Sequence, residues 1–178
     1  MNRLSITINV LLIFLAGVAC SKGVKTIDLH ASVQKNKIEV YNRELSLIHE
    51  DAYKGIRLSK AYGEGLAWIN GIAFSNGTIE FDVRGENIKL HSFVGIAFHG
   101  INDSTYDAIY LRPFRFQETN DTLRRHSIQY ISLPDFTWQK LRKDFPDKYE
   151  NAINPSPDPN SWIHIRVVIE GTLSLIHI

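Results

Sequence analysis

Two carboxylates stand two residues apart in a short alternating segment. Glu80 and Asp82 are separated by one phenylalanine, and in a β-strand such residues point to the same side. Carboxyl groups about 5–5.5 Å apart can act as the nucleophile and the acid of a retaining glycosidase. In the alternative interpretation the strand is amphipathic. Ile79 and Val83 then face the core, and the outward charges, including Arg84, compensate one another.

A second group combines aromatic, cationic and amide side chains on three predicted strands. Tyr110 and Arg112 alternate with the apolar residues of one strand, Gly95 and Ala97 alternate with those of the preceding strand, and Gln129 lies on the next. If the strands pair, these residues share an open face where the two small ones leave room for a flat ring. Tyrosine can stack on a sugar, and arginine and glutamine hydrogen-bond hydroxyls or carboxylates. We therefore predict a substrate-binding surface for a saccharide.

Three titratable side chains on or near this surface are candidate catalytic residues. They are His99, Tyr110 and His126. Histidine titrates near neutrality and tyrosine can donate a proton, so each suits acid–base chemistry. A structural alternative applies to the arginine of the surface, because Arg112 could be buried and paired with Asp107 or Glu118.

Short alternating segments, separated by turn signals, run along most of the chain. Their period is two, and β-branched residues are dense within them. The predicted strands are Lys37–Val40, Gly55–Leu58, Gly65–Ile69, Thr78–Val83, Ser92–Phe98, Asp107–Leu111, Ser127–Ile131 and Ile163–Ile169. Helical spacing occurs in Asp135–Tyr149. The pattern predicts an all-β sandwich or jelly roll with at most one short helix, within residues 135–149.

The composition is that of one globular domain. Hydrophobic residues make up 44% of the 178, and the formal net charge is +1. No block of lysine and arginine would follow a nucleic acid backbone, so no nucleic acid partner is expected. The single cysteine excludes a disulfide framework, and the histidines lack the spacing of a zinc site. We predict no metal and no cofactor; calcium binding cannot be read from the sequence.

The first twenty residues predict export. Arg3 precedes an apolar stretch that is too short and too interrupted to span a membrane, as in a secretory signal peptide. The stretch ends at Cys20, followed by Ser21 and Lys22, and resembles the lipobox of bacterial lipoproteins. We expect residues 1–19 to be removed and Cys20 to be lipidated. The protein would then be an outer membrane lipoprotein of the bacterial cell envelope, facing the periplasm or the exterior. The alternative is an ordinary signal peptide with a chance cysteine.

The last six residues, Leu173–Ile178, match the translation of a transposase-derived sequencing adapter in this frame. This interpretation predicts a single domain over residues 20–172 that lacks its final strands, and an adapter-derived tail over residues 173–178. The alternative is a genuine short strand, which the alternation of apolar residues permits.

Four segments carry a family resemblance. They are Phe74–Gly85, Phe93–His99, Tyr106–Phe114 and Trp162–Val168. Together they resemble the concanavalin A-like lectin/glucanase superfamily, near its laminin-G-like and 3-keto-disaccharide hydrolase-like members. The resemblance covers roughly residues 56–171 and implies a jelly-roll sandwich, a fold that hosts lectins, glycosidases, lyases and inert modules. The catalytic strand of its laminarinase-type glucanases reads E-x-D-x-x-E, and here Gly85 stands in place of the third carboxylate.

Three functional hypotheses follow from these features. The first is an exported, lipid-anchored module that binds carbohydrate. The second is a glycan-processing enzyme, either a glycoside hydrolase or an enzyme similar to 3-keto-glycoside lyases, that uses Tyr110, His126 or His99. The third is a non-catalytic domain for protein partners, as laminin-G-like modules often are. Bound sugar without turnover would select the first hypothesis, and turnover lost with one titratable residue would select the second.

Overall fold

The computed structural model describes residues 23–50, 52–171 and 173–178, and this part of the chain is mostly β-strand. Its strands are β1 (Ile38–Tyr41), β2 (Leu45–Glu50), β3 (Tyr53–Leu58), β4 (Leu66–Ile69), β5 (Gly77–Val83), β6 (Val94–Asn102), β7 (Thr105–Leu111), β8 (Ile128–Ser132), β9 (Glu150–Asn151), β10 (Ile163–Glu170) and β11 (Leu173–His177). Each predicted strand is present, which confirms the all-β prediction. The predicted signal peptide, residues 1–19, and the predicted lipidation site, Cys20, lie outside the described residues.

Two antiparallel sheets share one hydrophobic core. One sheet has the order β6-β7-β8-β9 and the other the order β11-β10-β5, while β1-β4 and β2-β3 form separate pairs. The core contains Phe98, Ile109, Leu111, Phe116, Ile128, Ile153, Ile163, Ile165, Val167 and Ile169. This core draws residues from both sheets and so holds them together. Full burial of one such apolar side chain stabilises the fold by about 1.5–3 kcal/mol.

Strand β5 follows the amphipathic interpretation. Phe81 and its apolar neighbours pack against the core, and the carboxylates face outward. On the adjacent strand β10, Arg166 Nε lies 3.1 Å from Glu80 Oε1, and His164 Nδ1 lies 3.0 Å from Asp82 Oδ1. Cross-strand partners therefore contact both carboxylates on the outer surface, and the Arg166 guanidinium compensates the charge of Glu80.

The other face of the β6–β9 sheet is largely covered. Tyr106, Ala108 and Ile131 form a second cluster there with Leu141, and Leu66, Trp68, Ala97 and Tyr110 pack against it. The covering residues come from β4 and from the helix that follows β8. The predicted open face is therefore wrong along most of its length. Strand alternation identifies the side on which a residue lies, but not what folds over that side.

In the described part of the chain, three short α-helices accompany the strands: α1 (Leu29–Gln34), α2 (Asp121–Arg124) and α3 (Trp138–Asp144). Helix α3 lies in the predicted range. The expectation of at most one helix is wrong, because α1 and α2 are too short for a periodic apolar pattern. Each is held at its start by a side chain instead. Asp28 accepts a hydrogen bond from the backbone N–H of Ala31, and Asn120 accepts one from that of Leu123.

The segment Leu173–His177 pairs antiparallel with β10, and Glu170 lies opposite Leu173. Alternating apolar residues are sufficient for such pairing, so the adapter origin of the last six residues stays a prediction. Within the described ranges, the helices are too short to traverse a bilayer.

Candidate functional site

Four residues form a row across the β6–β9 sheet. Gly95 lies opposite Tyr110, Tyr110 opposite Gln129, and Gln129 opposite Glu150. The prediction that the first three share a face is confirmed by this register. Ala97 lies on the same side, opposite Ala108 in the neighbouring row. The fourth member of the row, Glu150, was not foreseen.

Glu150 is the centre of a charged cluster. Arg142 from α3 donates two hydrogen bonds to it, Nε to Oε1 and Nη2 to Oε2, each at 2.6 Å. Arg112 Nη1 lies 3.7 Å from Oε2, and His126 Nε2 lies 3.7 Å from Oε1. The Glu150 side chain is only 2% exposed. Two guanidinium groups thus share one buried carboxylate, which leaves the cluster with an excess positive charge.

Arg112 is held in place by uncharged neighbours. It donates from Nη2 to the Tyr110 hydroxyl (3.1 Å) and to Gln129 Oε1 (3.2 Å), and from Nη1 to the carbonyl of His126 (2.8 Å). Gln129 is fully buried, and its amide nitrogen donates to the carbonyls of Tyr130 and Tyr149. Gln129 therefore positions Arg112 and has no free edge for a ligand.

The alternative that Arg112 is a buried, paired residue is correct for its burial and wrong for its partner. The residue is buried, 6% exposed, as that alternative requires. Its carboxylate partner is Glu150, however, and neither expected partner is used. Glu118 pairs with Arg115 at 2.6 Å, and Asp107 accepts a hydrogen bond from Tyr130.

Aromatic rings border the two arginines and reach the surface. The Arg112 guanidinium lies 5.0 Å from the Tyr110 ring and 6.0 Å from the Trp138 ring, and the Arg142 guanidinium lies 4.8 Å from the Trp138 ring. Phe93 packs edge-on against Tyr110. Trp138 is 39% exposed and Phe93 is 49% exposed. We call these five residues the arginine shelf.

Gly95 has a structural role that the sequence analysis did not predict. A Cβ at this position would collide with the carbonyl oxygen of Ile109 and would lie 2.6 Å from the Cα of Tyr110. The glycine therefore permits the close approach of β6 to β7. Gly95 is nevertheless exposed, so its predicted place on a ligand-binding surface stays a prediction.

His99 does not join the shelf, contrary to the alternation. The ladder between β6 and β7 is irregular from Phe98 to Asn102, and His99 itself has a positive φ of 52°. Its ring stacks on Phe74, and its Nδ1 lies 2.8 Å from Asp107 Oδ2. This local change of direction, as at a β-bulge, is what the period-two reading missed.

The pKa values of His126 and Tyr110 are shifted in opposite directions, which suits a proton acceptor and a proton donor. Burial lowers the pKa of His126 despite the neighbouring carboxylate of Glu150, so the ring stays neutral and can accept a proton. Burial raises the pKa of Tyr110 and keeps its hydroxyl protonated. Of the three catalytic candidates, these two are brought together and His99 is not.

A pH dependence of stability follows from His126. A histidine whose pKa is lower in the folded than in the unfolded chain binds fewer protons when folded, so the free energy of unfolding falls as pH drops through about 6.5. We expect the wild type to lose stability over this range and His126→Asn to lose less. Chemical denaturation above and below this pH measures it. Equal losses in both proteins would contradict the assignment.

Sequence reasoning missed Arg142 and Glu150. The spacing of Trp138 and Arg142, four residues apart on a predicted helix, signals that they share one helical face. Glu150 stands in a strand of two residues and carried no readable signal.

Within the described ranges, no group of three or more histidine, cysteine, aspartate or glutamate side chains could hold a metal ion. Comparisons with protein-family models, with curated proteins and with solved structures find no match to this chain. The functional argument therefore depends on the geometry of the arginine shelf.

Proposed function

We propose that this protein is a carbohydrate-binding module with a concanavalin A-like jelly-roll fold, whose ligand carries an acidic sugar. The observation that supports this most directly is Arg142, which stacks on the half-exposed Trp138. Its Nε and Nη2 bind Glu150, while Nη1 has no hydrogen-bond partner among the described residues. A sugar ring can pack against the aromatic surface while this free donor binds a carboxylate or sulfate.

The charge balance favours an acidic ligand over a neutral one. Arg112 and Arg142 carry two positive charges against the single negative charge of Glu150. Arg115 nearby is already neutralised by Glu118. An uncompensated positive charge between low-dielectric aromatic walls attracts anions, so one acidic substituent restores neutrality.

We also propose that the protein is exported and anchored by a lipid. The N-terminal pattern supports a lipid on Cys20, and with it a place in the bacterial cell envelope as an outer membrane lipoprotein facing the periplasm or the exterior. A module in this position meets extracellular or periplasmic glycans.

Replacing Arg142 tests the proposal. In Arg142→Gln the buried Glu150 keeps Arg112 as a partner, so the cluster becomes neutral without leaving a lone buried charge. We expect acidic oligosaccharides on a glycan array to bind the wild type and to bind this variant about tenfold to a hundredfold more weakly, because one charge-assisted hydrogen bond is lost. Neutral oligosaccharides should be affected little.

Arg125→Gln is the matched control, because Arg125 forms an exposed pair with Asp147 outside the shelf. It removes the same charge and should leave binding unchanged. Equal weakening by both substitutions would mean a diffuse electrostatic attraction, and an array without acidic binders would contradict the proposed function.

A glycan-processing enzyme is the second candidate, and His126 is the observation that favours it. Its neutral imidazole lies beside the shelf and can accept a proton, while Tyr110 keeps a proton to donate. Cleavage products that disappear in His126→Asn while sugar binding remains would select this function over simple binding.

A further inference from the structure

An open cavity of about 440 Å³ lies at the opposite end of β7 from the arginine shelf. Tyr41 from the end of β1, Glu64 before β4, and Asp103 and Ser104 from the β6–β7 turn contribute to its wall, together with Thr137 at the start of α3. This volume is within the range of small-ligand sites. The site residues that we predict from the sequence do not line this cavity.

The two carboxylates of the cavity are fixed by aromatic donors. The Tyr106 hydroxyl donates to Glu64 Oε2 at 3.0 Å, and Trp68 Nε1 donates to Asp103 Oδ1 at 2.7 Å. Burial, together with the charge of Glu64, strongly raises the pKa of Tyr106, so its hydroxyl stays a donor. Each carboxylate is thus held by one oxygen, and the other oxygen is left as an acceptor.

The lining selects an uncharged, hydroxyl-rich ligand. Two carboxylates repel an anion, and no residue that lines the cavity in the described chain is basic. The carboxylates do not form a group that could hold a metal within the described ranges. Ser104 and Thr137 add hydroxyls, and the Tyr41 ring, 43% exposed, adds an apolar surface. Sugar hydroxyls can donate to the carboxylates while a ring packs on tyrosine.

The cavity and the shelf adjoin at the start of α3. Thr137 lines the cavity, and the next residue, Trp138, belongs to the shelf. Strand β7 runs beneath both, with Tyr106 at the cavity and Tyr110 at the shelf. Four residues of a strand span about 13 Å, a distance that a short chain can bridge and a single sugar ring cannot.

We propose that the cavity and the shelf are two subsites for one oligosaccharide, with an uncharged unit in the cavity and an acidic unit on Arg142. This inference rests on the proposed carbohydrate binding and adds the requirement for a chain of mixed charge. A ligand of this kind contacts both ends of β7 and gains affinity from each subsite.

Calorimetric titration compares glucuronate with a tetrasaccharide of alternating glucuronate and N-acetylglucosamine. We expect the tetrasaccharide to bind about tenfold more tightly. Tyr41→Ala should weaken tetrasaccharide binding about threefold to tenfold and leave glucuronate binding unchanged, because only the longer ligand reaches the cavity. Asp103→Asn, which can keep the oxygen that accepts from Trp68, should act in the same direction.

Tyr62→Ala is the control, since Tyr62 is fully exposed and does not line the cavity. It should bind both probes like the wild type. Equal affinities for the two probes, unchanged by Tyr41→Ala, would overturn the second subsite and leave the shelf intact. If neither probe binds the wild type although acidic oligosaccharides bind it on the glycan array, the two-subsite inference fails and the proposed function stands. If the array also shows no acidic binders, both fail.

Discussion

Glu150→Leu is expected to lower the free energy of unfolding by about 3–5 kcal/mol, one of the two largest effects predicted for this protein. The Glu150 side chain is 2% exposed, and its carboxylate forms ion pairs with Arg112 and Arg142. Arg142 can turn toward solvent when the carboxylate is removed, but Arg112, 6% exposed, cannot. The cost is that of a buried cation left without its counter-ion. Urea denaturation followed by tryptophan fluorescence measures it.

Two companion variants make this result specific. Glu80→Gln removes a carboxylate from the exposed pair with Arg166 and should cost less than about 1 kcal/mol. The double variant Arg112→Met with Glu150→Leu should recover part of the lost stability, because both buried charges disappear together. A double variant as unstable as the sum of its single changes would show that packing, and not charge, dominates at Glu150.

Gly95→Ala is expected to destabilise the fold by about 2–3 kcal/mol, the upper part of the range for overpacking a close contact. The added methyl group would meet the backbone of β7 at Ile109 and Tyr110, and backbone atoms cannot move aside as a flexible side chain can. The strands β6 and β7 would have to separate at the row that carries the shelf. Thermal and chemical denaturation of the variant measure the loss.

Gly55→Ala is the matched control within another strand. A Cβ at Gly55 meets nothing within 4 Å, so this change should alter stability by less than about 0.5 kcal/mol. Equal stability of the two variants would contradict the close approach at Gly95. A larger residue at position 95 would disturb the strand pairing beneath the shelf, so substitutions at Arg142 test the proposed sugar binding more specifically.

Alternation along the strands determined much of the fold. Ile109 and Leu111 lie in the core with the apolar residues of β6, as their spacing predicts, and Glu80 and Asp82 face outward. The same alternation correctly placed Tyr110 and Gln129 on one face. These predictions succeed because the period-two geometry of a strand is local and does not depend on the rest of the chain.

Contacts between distant segments were decided only by the tertiary structure. Arg142 and Glu150 meet Arg112 because α3 and β9 fold against β7, and nothing in the spacing of these residues along the chain encodes that meeting. The irregular ladder that redirects His99 also depends on packing between elements. So does the burial of the outer face of the β6–β9 sheet beneath β4 and α3. Strand patterns thus specify which side of a sheet each residue takes. Only the packing of other elements decides whether that side becomes a core, an ion cluster or a binding surface.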